Sequence, residues 1–141
     1  MILKFFNKDK QSNNESDLLN VTCLMIHAAK IDENYTDKER SIVKNTIAKL
    51  NVNNEDIDKL ILKAEKKEAD SNHIQQFTKS IKSMDKVKKK EIIKNIWEII
   101  LSDGNSDIYE ENLMRRLAGL LYIDDKTIGE IKLKIQTDQK K

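Results

Sequence analysis

Apolar side chains recur at helical spacing between residues 18 and 135 of this chain, and short polar segments separate the apolar stretches. One stretch shows the i, i+3, i+4, i+7 pattern of a single helix face, at Ile57, Leu60, Ile61 and Ala64. Proline is absent and only three glycines occur, so few residues would break a helix interior. The pattern predicts an all-α fold of seven helices.

Polar residues that can cap a helix precede most of these stretches. A capping side chain accepts a hydrogen bond from a free backbone N–H in the first turn, so it indicates where a helix begins. The first stretch, Leu18 to Ile31, is apolar on nearly every side, which predicts a central, buried helix. The predicted caps of the later helices are Thr36 with Glu39, Asn53 or Asn54, Asp70 or Ser71, Ser83 or Asp85, Asp107 with Glu110, and Asp124 or Asp125.

Residues 32–39 are similar to residues 103–110, at an offset of 71 (103 − 32 = 71). The offset continues downstream without a gap, where it pairs Ile42 with Leu113. Self-similarity at a fixed offset is typical of one structural unit that is used twice. We therefore predict two pseudo-symmetric helical triplets, at about residues 18–66 and 85–136, joined by a linking helix.

The residues that follow Trp97 resemble those of a known family. Ser102-Asp103-Gly104, then Glu110, then the run from Arg115 to Leu121 are similar to the tellurite-resistance TerB family. Further matches are Ala28-Ala29 with Asp32 and Glu39, and Ala69-Asp70 ahead of Phe77-Thr78. The resemblance covers about residues 18–135 and extends to the N-terminal domain of a DnaJ-type membrane co-chaperone. It implies a compact all-helical domain with two acidic clusters, linked to tellurite and other stress phenotypes, without an established catalytic activity.

Two acidic loops carry the candidate chemistry. Carboxylates suit calcium or magnesium, and the candidate ligands of a divalent cation are Asp32, Asp37, Glu39, Asp103, Asp107 and Glu110. The second loop is not an EF-hand, because the sixth position is Ile108 and the twelfth is Met114, where glycine and glutamate are required. The family favours glycine after the aspartate, as at Gly104, so Glu33 makes the first loop the poorer site.

Helix capping is the preferred interpretation of the same acids. Thr36 with Glu39, and Asp107 with Glu110, have the spacing of a capping box, and acidic side chains favour the positive end of the helix dipole. The two roles are compatible, because a capping carboxylate can share its second oxygen with an ion. The alternatives therefore stay open at this point.

Other reactive or charged side chains have simpler interpretations. Cys23 lies in an apolar run and is expected to be a buried small side chain. His27 and His73 lack further ligands at zinc spacing, and Trp97 lies among isoleucines and is expected in the core. The lysine-rich run 86–94 lacks arginine and aromatic residues, so a solvated helix end is favoured over a nucleic-acid interface.

Length and charge set the remaining expectations. The 141 residues suit one domain, with a flexible segment at 1–16, a TerB-like helical domain at 17–138 and a frayed tail at 139–141. The net charge of +2 argues against a polyanion partner, and no apolar run is long enough to span a membrane. A frayed N-terminus is favoured over membrane-surface contact through Ile2, Leu3, Phe5 and Phe6. One cysteine fits a reducing, cytoplasmic location.

The sequence therefore predicts a non-enzymatic, TerB-like stress-response module. In this hypothesis the acidic loops bind a divalent cation such as calcium, and the module binds a protein partner. The alternative is a metal-independent helical adaptor or a co-chaperone-like protein-interaction domain. An acid/base enzyme ranks third, because no motif in the chain requires one.

Overall fold

The structure is a computed structural model that describes residues 11–31, 35–50, 56–79, 81–103 and 106–139, with the backbone alone at 11–16, Leu50 and Asp103. The described residues form seven α-helices and no β-strand, which confirms the predicted all-α fold. The helices are α1 Gln11–Lys30, α2 Asp37–Leu50, α3 Ile57–Ala69, α4 Gln75–Thr78, α5 Lys86–Ile100, α6 Ile108–Leu121 and α7 Asp125–Gln139. Short 3-10 helices at Ile81–Ser83 and Leu101–Asp103 flank α5.

Helix α1 is the central helix, as its apolar sequence predicts. It packs against α2, α3, α4 and α5, and its residues 20–26 are all buried. Because it is covered on several sides, it lacks the polar face of a surface helix. It begins at Gln11, N-terminal to the predicted Leu18. Residues 1–10, which make up most of the predicted N-terminal segment, lie outside the described residues, as do residues 140–141 of the predicted tail.

The helix starts agree with the predicted caps at α5 and α7. Asp85 Oδ1 accepts a hydrogen bond from the Lys88 backbone N–H at 2.9 Å, and Asp124 Oδ1 accepts one from Thr127 at 2.8 Å. The predicted cap of α3 is wrong. Asp56, directly before the helix, accepts from the backbone N–H of Lys59 at 3.2 Å, while Asn53 and Asn54 lie outside the described residues.

The linking segment is less helical than predicted. The apolar pattern indicated one helix from Asp70 or Ser71 through Met84, but only Gln75–Thr78 and the 3-10 turn after it are helical. Asp70 instead ends α3, and the Ser71 hydroxyl donates to the Lys67 carbonyl at 2.8 Å. Serine, aspartate and asparagine side chains bond to nearby backbone groups and so compete with helix formation. The apolar pattern also predicts that Ile74, Phe77, Ile81 and Met84 face inward, and the structure has the first three buried and Met84 partly buried.

The second half of the chain packs around Trp97. This side chain is 1% exposed, and its indole Nε1 donates to the backbone carbonyl of Ile128 on α7 at 3.2 Å. Helix α5 packs on both α1 and α7, and α6 packs on α7. Trp97 therefore lies in the core, as predicted. Among the described residues, no helix combines the length and apolar character that crossing a membrane requires.

Candidate functional site

The first acidic loop ends in a capping box at the start of α2. The Thr36 backbone N–H donates to Glu39 Oε1 at 3.3 Å, and the Glu39 N–H donates to the Thr36 hydroxyl at 3.4 Å. Both distances are long for hydrogen bonds of this kind. Asp37 is exposed in the first turn, and Asp32 lies outside the described residues. The structure thus places two of the three predicted acids of this loop at the N-terminus of α2.

The second acidic loop ends in a tighter capping box at the start of α6. The Asp107 backbone N–H donates to Glu110 Oε1 at 3.0 Å, and the Glu110 N–H donates to Asp107 Oδ1 at 2.8 Å. Glu110 is 7% exposed, whereas Asp107 is exposed. Asp103 ends the 3-10 turn after α5, and its side chain lies outside the described residues. Two of the three acids are again together at a helix N-terminus.

An ion pair between α2 and α3 holds the first loop. Glu65 on α3 accepts from the Tyr35 hydroxyl at 2.6 Å and from Arg40 Nε at 2.9 Å. Burial alone would raise the pKa of Glu65, but the hydrogen bonds from Arg40 and Tyr35 outweigh burial and lower it. Burial and the adjacent Glu65 carboxylate raise the pKa of Tyr35. Tyr35 is therefore a neutral donor that attaches the loop to α3.

An ion pair between α6 and α7 holds the second loop. Glu111 accepts hydrogen bonds from the Ser106 hydroxyl and from Lys132 Nζ. Burial alone would raise the pKa of Glu111, but these two donors lower it. Lys132 Nζ also lies 5.3 Å from the centroid of the Trp97 ring, within the range of a cation–π contact. A continuous chain of contacts thus joins the loop at Ser106 to the core at Trp97.

The ion pairs at Glu65 and Glu111 are functional-site features that the sequence analysis missed. The 71-residue offset aligns Arg40 with Glu111 (111 − 40 = 71), but it aligns Glu65 with Gln136 and Ile61 with Lys132, so it does not predict either ion pair. The two partners, Glu65 and Lys132, are identified only by how the helices pack. The predicted pseudo-symmetry itself stays a prediction.

The donor types of the two loops suit a hard cation, because carboxylate oxygens are its preferred ligands. Among the described residues, no three histidine, cysteine, aspartate or glutamate side chains lie close enough together to hold a metal ion. Each predicted ligand set includes one member outside that description, Asp32 in the first loop and the Asp103 side chain in the second. The cation hypothesis therefore stays a prediction for both loops.

The remaining candidates have structural roles. Cys23 is buried, burial raises the pKa of its thiol to about 11, and Sγ lies 3.6 Å from the Ala64 carbonyl oxygen. His27 is hydrogen-bonded to Glu68, with 3.1 Å between Nδ1 and Oε2. Within the lysine run, Lys86, Lys90 and Lys94 are exposed as predicted. Lys89 is an exception, because it is buried with Nζ 5.5 Å from the centroid of the Tyr122 ring.

Comparison with known protein families matches residues 18–133 to the family described as tellurite resistance protein TerB. Searches of curated proteins and of solved structures found no match. The family match spans the described helices from the first buried turn of α1 into α7, and it includes both acidic loops. It agrees with the resemblance seen in the sequence around Trp97 and Glu110. With most of its length matched in this way, the chain belongs to the TerB family of tellurite resistance proteins.

Proposed function

We propose that this protein is a non-enzymatic module of the tellurite-resistance type whose acidic loops bind a divalent cation such as calcium. The loop with Asp103, Asp107 and Glu110 is the main site in this proposal. The loop with Asp32, Asp37 and Glu39 is a weaker second site. A bound cation changes the affinity of the module for a protein partner in the stress response. Membership of the TerB family supports the tellurite-resistance type of function.

The observation that carries the proposal is how the capping box uses Asp107. Its Oδ1 accepts from the Glu110 backbone N–H at 2.8 Å, and its carboxylate is exposed at the end of the loop. A carboxylate has two oxygens and about four lone-pair sites, so one helix cap does not exhaust it. The second oxygen of Asp107 can therefore contact an ion while the first still caps α6.

The negative charge of the loop before α6 favours a divalent cation, although the N-terminal end of the helix is partly positive. The N-terminus of a helix carries the equivalent of roughly half a positive charge, which opposes cation binding. Three carboxylates at Asp103, Asp107 and Glu110 would bring up to three negative charges to the same loop. The negative charge exceeds the helix contribution several-fold, so the net attraction is for a cation.

A non-enzymatic role is proposed because the groups that catalysis would need have other functions. The thiol of Cys23 is buried, and its raised pKa disfavours the nucleophilic thiolate. One oxygen of each carboxylate in the Asp107–Glu110 pair accepts a backbone hydrogen bond. Both carboxylates therefore have a structural role at the start of α6, and the proposal adds only ion binding to that role.

Trp97 provides a specific readout for the second loop, because it is the single tryptophan of the chain. Ser106 is bonded to Glu111, Glu111 to Lys132, and Lys132 lies over the Trp97 ring. A cation that reorders the loop would shift this chain of contacts and change the tryptophan fluorescence. The first loop is attached through Glu65 and has no such link to Trp97 among the described contacts.

The test is a titration with calcium, magnesium and manganese in which the Trp97 fluorescence and the melting temperature are measured at each ion concentration. An ion that binds only the folded state must raise the melting temperature. We expect Asp103→Asn to abolish the increase and Asp32→Asn to reduce it less, because Gly104 permits a tight turn where Glu33 does not. Glu130→Gln, which removes an exposed acid from α7, is the matched control. If neither the melting temperature nor the fluorescence changes with any of the three ions at millimolar concentrations, cation binding is refuted.

A metal-independent adaptor is the second candidate, and the exposed start of α6 favours it. Ile108 is 68% exposed and Tyr109 is 65% exposed, as consecutive side chains directly after the Asp107 cap. Contiguous exposed apolar patches can mark protein-binding sites, and Ile108 and Tyr109 would contribute to such a patch. In this case the same titration would leave the melting temperature unchanged, and partner binding would survive a chelator. Replacement of Ile108 and Tyr109 by serine would still abolish partner binding.

A further inference from the structure

A small pocket lies where α1, the end of α3, the segment between α3 and α4, and α6 meet. Polar residues from all four regions line it, namely His27, Glu68, Ser71, Asn72, His73 and Arg116. Both histidines of the chain are among them. The pocket shares no residue with the acidic loops, so it is independent of the proposed cation sites.

The negative charge inside this pocket is already matched. Glu68 is buried, and its Oε1 accepts from Lys30 Nζ at 2.6 Å. Its Oε2 lies 3.1 Å from His27 Nδ1. Because an ionised carboxylate can only accept hydrogen bonds, His27 Nδ1 carries the hydrogen in this pair. Glu68 thus has a cationic partner and a second donor, which leaves it poorly suited to attract a further cation.

The positive charge of the pocket is not matched in the same way. Arg116 lines the pocket from α6 and is exposed. Among the described residues, no carboxylate lies within ion-pairing distance of its guanidinium. A guanidinium offers a planar fork of N–H donors that fits two oxygens of one anion. Asn72 and His73 also line the pocket, and an amide and an imidazole can each donate hydrogen bonds.

The size of the pocket limits what it can bind. Its volume is about 70 Å³, which is room for a few water molecules or one small ion. Pockets that enclose larger organic ligands have volumes of roughly 300 to 1,000 Å³. A nucleotide or a peptide would therefore not fit inside, whereas a single oxyanion group would.

From the charge, the donors and the size together, we propose that this pocket binds a small oxyanion of the phosphate class. Arg116 makes the bidentate contact and His73 and Asn72 donate to the remaining oxygens. Glu68 and its partner Lys30 form the base of the pocket, and the contact with Glu68 fixes the orientation of the His27 ring. The side chains of Ile74 and Phe77, which also line the pocket, limit its hydration.

The experiment is a titration of the full chain with inorganic phosphate in which NMR monitors the imidazole signals of the histidine side chains. Only His27 and His73 contribute imidazole signals, so both report directly from the pocket. Phosphate replaces chloride at constant ionic strength, because exposed charges are sensitive to salt screening. We expect saturable shifts of both imidazole signals. Arg116→Gln should weaken the phosphate affinity by at least about tenfold, as for the loss of a bidentate charged contact.

Arg115→Gln is the matched control, because it removes the same charge from the adjacent exposed position of α6 without touching the pocket. It should change the affinity less than about twofold. Shifts that stay linear through tens of millimolar phosphate would overturn the proposal. So would equal losses of affinity in the two variants, which would indicate a general attraction to basic surface residues. Both arginines are exposed, so both variants are expected to fold.

Discussion

Arg40 and Glu111 lie 71 residues apart, which is the offset of the predicted repeat (111 − 40 = 71). Each forms an ion pair with the following helix, but the two pairs have opposite polarity. Arg40 on α2 pairs with the acid Glu65 on α3, and Glu111 on α6 pairs with the base Lys132 on α7. In both cases the carboxylate also accepts a hydrogen bond from the loop, from Tyr35 or from Ser106. Each acidic loop is therefore attached to an inter-helix ion pair.

The first prediction is that Glu65 and Glu111 make the fold sensitive to acid. Both carboxyl pKa values are lowered in the folded protein, so the stabilisation is present above the usual glutamate pKa of about 4.3 and is lost as the pH falls through the lowered value. Glu65→Gln should reduce the free energy of unfolding at neutral pH by about 1 to 2 kcal/mol. Urea unfolding at neutral pH and near pH 3 would measure the change.

At the acid end of that series, the wild type and Glu65→Gln should have nearly equal stability, because both then have a neutral side chain at the position. Glu98→Gln, an exposed change on α5, is the control and should have little effect at either pH. If Glu65→Gln loses as much stability in acid as at neutral pH, the charge of Glu65 does not contribute as argued.

The second prediction compares the two capping boxes. Asp107→Ala should reduce the free energy of unfolding by about 1 kcal/mol as a lost N-cap. Thr36→Ala should have a smaller effect, because its capping distances are 3.3 and 3.4 Å against 2.8 and 3.0 Å at Asp107. Chemical denaturation without added metal would compare them. Asn112→Ala, exposed in the same helix, is the control, and an equal loss at Asp107 and Asn112 would contradict the capping role.

The sequence predicted the helices better than their ends, for a physical reason. Apolar spacing identifies which face of a helix is buried. On α3, Leu60, Ile61 and Ala64 are buried and Ile57 is partly buried. Caps depend on the side-chain geometry of one residue among several polar neighbours. Asp56 therefore caps α3 although Asn53 and Asn54 are equally suitable by residue type. The choice between neighbouring polar side chains also explains why α4 is short. The Ser71 hydroxyl bonds to the end of α3 instead of capping a new helix.

The candidate site was predictable only where its members are close in sequence. Asp107 and Glu110 form their capping box over three residues, so spacing alone reveals it. Glu65 bonds Tyr35 across 30 residues and Arg40 across 25, and no local pattern specifies such contacts. The pocket formed by His27, Glu68 and Arg116 depends in the same way on how three distant segments pack.

The third prediction concerns Trp97. Trp97→Ala should reduce the free energy of unfolding by roughly 3 to 5 kcal/mol, because it leaves a cavity in the core and removes the hydrogen bond to Ile128. Such a loss is comparable with the whole stability of a small domain. Glu98→Ala, next to it on the exposed side of α5, should be nearly silent. Circular dichroism during thermal unfolding would measure both, and a fully stable Trp97→Ala variant would exclude a core role.

The fourth prediction concerns the reactivity of Cys23. Its thiol is buried and its pKa is raised to about 11, chiefly by that burial. A thiol reagent should therefore react with the native protein far more slowly than with the unfolded chain. The labelling rate in increasing urea should follow the unfolded fraction measured by fluorescence. Rapid labelling without urea would show that α1 separates from α3 in the native state.

The fifth prediction concerns the end of α6, where Tyr122 has a positive φ of 57°. The backbone N–H of Ile123 bonds to the Ala118 carbonyl at 2.9 Å, and that of Tyr122 to the Gly119 carbonyl at 3.4 Å, which is the hydrogen-bond pattern of a Schellman motif. Glycine is the favoured residue at this left-handed position, where a residue with a Cβ atom is strained by roughly 1 to 2 kcal/mol. Tyr122 also contacts Lys89, at 5.5 Å from Nζ to the ring centroid.

Tyr122→Gly should therefore raise the free energy of unfolding. The relieved strain of roughly 1 to 2 kcal/mol, less roughly 0.5 to 1 kcal/mol for the lost cation–π contact, leaves a gain of up to about 1.5 kcal/mol. Arg115→Gly is a control of opposite sign, because Arg115 is exposed in the middle of α6, where glycine destabilises a helix by about 1 kcal/mol. Urea unfolding of both variants would measure the two changes. Destabilisation by Tyr122→Gly would mean that the contact with Lys89 outweighs the backbone strain, and Lys89→Met should then produce a similar loss.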